Sequence, residues 1–196
     1  VSFAVETLPN VVANTGLSEV LGDIILTATA ACGTTTDKAC LSSAATIQVR
    51  FTNVTIDNTM ATGIRVCETV GTFQCNGSEN FLTGIFTITS DTISIGVRDG
   101  IDVAAGDRVT IAGVRARIAS SVLVTPGVDA NAVVSATPAF AATFPPDTLV
   151  VARSADPLIL RIFSVPEIPC AVDDSIPTAQ IVEGYPAAFV DYGDPV

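Results

Sequence analysis

Apolar residues recur at every second position along most of this chain. Ile47, Val49 and Phe51 alternate with Thr46, Gln48 and Arg50, the period of a strand with one buried face. After Thr52-Asn53 the parity shifts by one residue, and Val54 and Ile56 take over the inward face, as a β-bulge would require. The same slip occurs at Ala112-Gly113, between Val109 and Ile111 on one side and Val114, Ala116 and Ile118 on the other. Leu82–Thr89 and Thr92–Val97 alternate around Ser90-Asp91 and predict a tight hairpin. Ile24-Ile25-Leu26 is apolar on consecutive residues, which predicts a central strand covered on both faces. Shorter strands are expected at 63–70, 133–134, 149–152, 158–162 and 179–190, with a loop or edge crossing at 136–147.

No stretch carries helical periodicity. About ten short strands between Gly, Pro and Asn turns predict an all-β fold: a two-sheet antiparallel β-sandwich of the Ig-like or pilin-like kind. Residues 1–14 read as an extended N-terminal arm, because Leu8-Pro9-Asn10 interrupts them and proline removes a ladder donor. Residues 15–196 then form a single sandwich domain, with 176–190 as a late edge strand.

Charge sharpens this picture. Charged residues are 15% of the chain and hydrophobic ones 48%, against roughly 25% charged in ordinary domains. So few charges imply burial between subunits. The net charge of −11, with one lysine (Lys38) among nine basic residues, argues against nucleic acid as a partner. No run reaches the roughly 18 apolar residues of a membrane-spanning helix. The chain has no His and no Trp, so His-based triads and imidazole metal sites are excluded.

Cys32 and Cys40 enclose seven residues, as do Cys67 and Cys75. Such pairs read as two loop-stapling disulfides formed in an oxidising compartment. Reduced buried thiols are the competing reading; zinc is disfavoured by the spacing. Cys170 is left over, either as a covered free thiol or as a bond to another chain. The chain opens at Val1 without a basic-then-apolar leader, as expected of an exported protein after removal of its signal peptide.

Candidate chemistry is sparse. The acidic turns Asp99-Gly100-Ile101-Asp102 and Asp173-Asp174 match no full calcium-loop spacing, so no metal or cofactor is expected. Glu183 and Asp191 could pair as glycosidase carboxylates, but the aromatic platforms of sugar sites are missing. Ser18 and Ser164 have no histidine to activate them and read as structural. Asn53-Val54-Thr55 and Asn76-Gly77-Ser78 are N-glycosylation sequons.

The stretch Gly16–Thr27 resembles the opening of a group of secreted bacterial β-proteins that carry "TELVGDIVLTCTG"-like strands. Gly113-Val114-Arg115 and Glu183–Phe189 are similar to the group's later "GVR" and "EGF..AF" segments. Ala28 stands where the group often has Cys. The resemblance covers most of the chain in order, implies an exported β-domain and supplies no activity. Residues 1–10 precede the shared opening and look like an added arm.

These readings lead to a non-enzymatic structural subunit of an extracellular filament or pilus. Its partner would be itself, in a head-to-tail homopolymer built by strand donation. Val1, Phe3, Val5 and Leu8 of the arm would enter a neighbour's groove, and Ile181, Tyr185 and Phe189 would lie along the same interface. Contacts with surfaces or biofilm would follow. The alternative is a monomeric cell-surface adhesion or carbohydrate-binding sandwich.

Overall fold

The computed structural model describes residues 1–31, 45–77, 81–98, 102–137, 142–162 and 179–184. Its strands are, in chain order, β1 (Phe3–Leu8), β2 (Asn10–Ala13), β3 (Ser18–Val20), β4 (Asp23–Ala28), β5 (Ala45–Thr52), β6 (Thr55–Ile56), β7 (Arg65–Glu68) and β8 (Gln74–Cys75). They continue with β9 (Leu82–Ile88), β10 (Thr92–Val97), β11 (Arg108–Ala112), β12 (Arg115–Arg117), β13 (Asp129–Thr137), β14 (Leu149–Ala155), β15 (Leu158–Ile162) and β16 (Ala179–Glu183). The only helical turns among the described residues are single 3-10 turns, at Met60–Thr62, Ile118–Ser120 and Val122–Val124.

Two sheets enclose one core. The first has the order β1-β4-β11-β7-β8 and the second β2-β14-β13-β5-β10-β9. Ile24, Leu26, Val109 and Ile111 from the first join Ile47, Val49, Phe51, Ile93, Ile95 and Val151 from the second in a single buried cluster. The order β1-β4-β11-β7 opposite β14-β13-β5 matches the ABED and GFC sheets of an immunoglobulin sandwich. Here, however, β7 precedes the β9–β10 hairpin in the chain. The predicted fold class holds, and the hairpin lies where expected, with Ile88 opposite Ile93.

β4 is central, between β1 and β11, but it is not covered on both faces. Ile24, Leu26 and Ala28 are buried while Ile25 is half-buried, so β4 has one inner face like its neighbours. The expected two-residue strand at Val133-Val134 is the middle of β13, nine residues long. Its inward positions Ala130 and Ala132 are fully buried. Alanine is a weak strand former, so this central strand left only a faint trace in the pattern.

The N-terminal arm is not an arm. β1 pairs antiparallel with β4 of its own chain, and β2 pairs parallel with β14. The segment crosses from one sheet to the other at Pro9, where the missing N–H interrupts the ladder. Gly22 lies against this crossing. Its N–H donates to the Val151 carbonyl at 2.7 Å, and a Cβ there would stand 2.0 Å from the Leu8 oxygen.

The parity slips mark a third, small sheet of order β3-β12-β6. β3 leads into β4, β12 follows β11 and β6 follows β5, so strands from both sheets splay and pair at one corner. The breaks carry Gly22, Gly113 at φ 73° and Asn53 at φ 70°, the last two in the left-handed region that glycine and asparagine tolerate best. Asn58 clamps the corner, donating to the Gly113 carbonyl at 2.9 Å and accepting from the Arg115 amide at 2.8 Å.

Candidate functional site: a stapled hairpin, a polar groove and an apolar hairpin

Four regions hold the residues singled out in the sequence. The first is the N-terminal strand. Phe3 is 3% exposed; its ring stacks on Phe144 at 5.5 Å and tilts against Phe81 at 6.2 Å. Val1 and Val5 pack on the same core as partly buried side chains. The apolar face meant for a neighbour is therefore used within the chain. Of the proposed interface residues in this segment, Leu8 faces solvent, at 62% exposure.

The second region is the β7–β8 hairpin. Cys67 and Cys75 lie directly opposite each other and are joined by a disulfide, as their spacing predicts. Cys32, Cys40 and Cys170 lie outside the described residues, as do Tyr185 and Phe189. Next to the staple is a carboxylate that sequence reading overlooked. Glu68 is 1% exposed and accepts from Gln74 Nε2 at 2.5 Å and from the Leu82 amide at 3.1 Å. Leu82 begins β9, so Glu68 ties the stapled hairpin of the first sheet to the second. Burial pushes its carboxyl above the usual range, against the pull of these hydrogen bonds. Alternation alone hides such a residue, because it reads as an ordinary polar position.

The third region is an open groove of about 720 Å³ at the small-sheet corner, with Arg50, Asn53, Thr55, Asp91, Ser120 and Val122 among its lining residues. Arg50 Nε lies 3.4 Å from Asp91. Thr55 Oγ1 donates to the Ser120 carbonyl at 3.2 Å, and the Val122 amide donates to the Asn53 carbonyl at 2.9 Å. The hydroxyls of Thr92 and Thr89 and the Arg50 guanidinium hold the Asp91 carboxyl below its ordinary value. Arg115 and Arg117, on the outer face of β12, have partners nearby. Arg117 reaches Asp57 at 2.7 Å and Arg115 donates to the Ser18 carbonyl at 3.2 Å.

The fourth region is the β15–β16 hairpin, which pairs only within itself among the described residues. Its base is fixed by the Gly184 amide donating to the Pro157 carbonyl at 3.0 Å. Leu158, Ile159, Leu160 and Ile181 remain 39–66% exposed. Glu183 is exposed here; Asp191 lies outside the described residues. Of the acidic turns, Asp102 alone is described, and it too is exposed. No group of three or more metal-ligating side chains occurs among the described residues, and no helix among them is long and apolar enough to cross a membrane.

No family model matches the chain, and no curated protein matches it. Among solved structures, it is similar to the collagen-binding domain of a Staphylococcus aureus adhesin, at TM-score 0.38 and 11% identity, over 69% of this chain and 85% of that one. It is also similar to a chain from a structure titled manganese lipoxygenase of Gaeumannomyces graminis and zonadhesin of Komagataella pastoris. There the TM-score is 0.35 and the identity 10%, over 69% of this chain and 50% of that one. Likenesses this distant carry no argument about what the chain binds.

Proposed function

We propose that this chain is a non-catalytic, self-contained β-sandwich module of an exported protein, displayed outside the cell and working by adhesion. The observation that carries the reading is the N-terminal segment. β1 and β2 complete both sheets of their own sandwich, with Phe3 in the core. A subunit that polymerises by donating this strand would need it extended. The Cys67–Cys75 disulfide supports an oxidising compartment. Light scattering and negative-stain micrographs of the purified protein test the proposal: a monodisperse monomer is expected, and fibres would overturn it.

A filament subunit is the second reading, and one observation favours it. The β15–β16 hairpin exposes Leu158, Leu160 and Ile181 together, more apolar surface than a two-stranded ribbon in water usually carries. In that reading the hairpin, and not the N-terminal strand, meets the next subunit. Leu160→Lys or Ile181→Lys would then abolish fibres that Phe3 substitutions leave assembled.

A further inference from the structure

We propose that Asn53 carries an N-linked glycan and that the polar groove beside it seats the first sugar. The motif Asn53-Val54-Thr55 meets the acceptor requirement, and the fold places it to be modified without loss. Asn53 is exposed and occupies a left-handed turn, φ 70°, between β5 and β6. Its backbone carbonyl is fixed by the Val122 amide at 2.9 Å, while its side-chain amide makes no hydrogen bond among the described residues. Attachment at Nδ2 therefore displaces nothing.

The surroundings suit a neutral, hydroxyl-rich ligand. Arg50 and Asp91, an exposed ion pair 3.4 Å apart, both line the groove, and the exposed Ser120 adds a hydroxyl. A sugar hydroxyl can donate to the carboxylate and accept from the guanidinium, which no simple anion or cation does equally well. Ala119 and Val122 supply an apolar patch on the same wall.

The second sequon differs. Asn76 Oδ1 accepts from the Val66 amide at 2.8 Å, and the Asn76 amide donates to the Val66 carbonyl at 2.7 Å. Its side chain is already part of the stapled hairpin.

The chemistry needs one co-reactant, a lipid-linked oligosaccharide diphosphate. Asn53 Nδ2 bonds to the anomeric carbon of the sugar. The anomeric C–O bond breaks, the lipid diphosphate leaves with the electron pair, and one amide proton passes to a base of the transferase. Transfer precedes folding, while the Thr55 hydroxyl is not yet committed to the Ser120 carbonyl.

Trypsin separates the two sequons, because Arg50 and Arg65 bracket Asn53 whereas Arg65 and Arg98 bracket Asn76. Mass spectrometry of the protein from its own source should find the 51–65 peptide carrying a hexose- or N-acetylhexosamine-containing increment. Asn53→Gln should remove the increment, at only the small stability cost of placing Gln at φ 70°. Asn76→Gln should keep it. An unmodified 51–65 peptide, or an increment lost only in Asn76→Gln, overturns the assignment.

Discussion

The rings of Phe3 and Phe144 stack with centroids 5.5 Å apart and planes within 11°. Sequence-distant residues thus meet over the core, and the amide of Phe3 donates to the Thr143 carbonyl at 3.0 Å beside them. A residue so enclosed belongs to the core that it joins.

Truncating it should be expensive. Phe3→Ala removes a buried ring and leaves a cavity, a change that typically destabilises by about 3–5 kcal/mol. Urea denaturation of the purified variant should show a large fall in midpoint with an unchanged slope. An unchanged midpoint would place Phe3 outside the core.

Gly22 tests the crossing of β1 and β2 between sheets. A Cβ at this position would meet the Leu8 oxygen at 2.0 Å and the Val151 oxygen at 2.7 Å, and backbone atoms cannot swing aside. Gly22→Ala should destabilise by about 1–3 kcal/mol, the usual scale of overpacking. Gly127→Ala is the control: its added Cβ meets nothing within 4 Å, and only the strain of φ 76° opposes it. The first variant should lose more stability in a side-by-side thermal melt.

Much of this was legible in the chain and some was not. Alternation gave β5, β9, β10 and β11, and the slips at Thr52-Asn53 and Ala112-Gly113 located the corner. Alternation cannot say which strand pairs with which, so the β1–β4 ladder leaves no trace in the sequence, and the Val1, Phe3 and Val5 face looks equally suited to a neighbour. The polar side chains Asn58 and Glu68 gave no signal, because their burial depends on partners supplied by other strands. The Cys67–Cys75 pair was legible because short spacing leaves few alternatives.

Glu68 should make stability depend on pH. Its folded-state value is raised above the ordinary 4.5 by burial, so the folded protein prefers the protonated form. Its contribution is greatest below 4.5 and declines as pH rises through the raised value. Asp57, Asp91 and Asp129 act in the opposite sense: Arg117, Thr92 and Arg153 respectively lower them from 3.8, and their contributions fade as pH falls toward and below that value. Glu68→Gln should shrink the decline above 4.5 in a stability–pH profile, leaving the part due to Glu19, whose carboxyl burial also raises, and leave the acid limb in place. A profile identical to wild type would rule out the buried carboxyl as its source.

Removing the Cys67–Cys75 staple should lower stability by about 2.5 kcal/mol, the chain-entropy value for so short a loop. The paired Cys67→Ser and Cys75→Ser variant, melted beside wild type, measures it. Non-reducing peptide mapping of the same sample reads the state of Cys32, Cys40 and Cys170; the sequence predicts a Cys32–Cys40 disulfide and leaves Cys170 as a free thiol or a bond to another chain.

The most direct test of the central claim is the unfolding midpoint of the full chain across a wide dilution series. If β1 pairs with β4 of its own chain, folding is unimolecular and the midpoint is independent of protein concentration. A midpoint that rises with concentration, and does so only when residues 1–8 are present, would show that the strand is exchanged between molecules and would contradict the self-contained module.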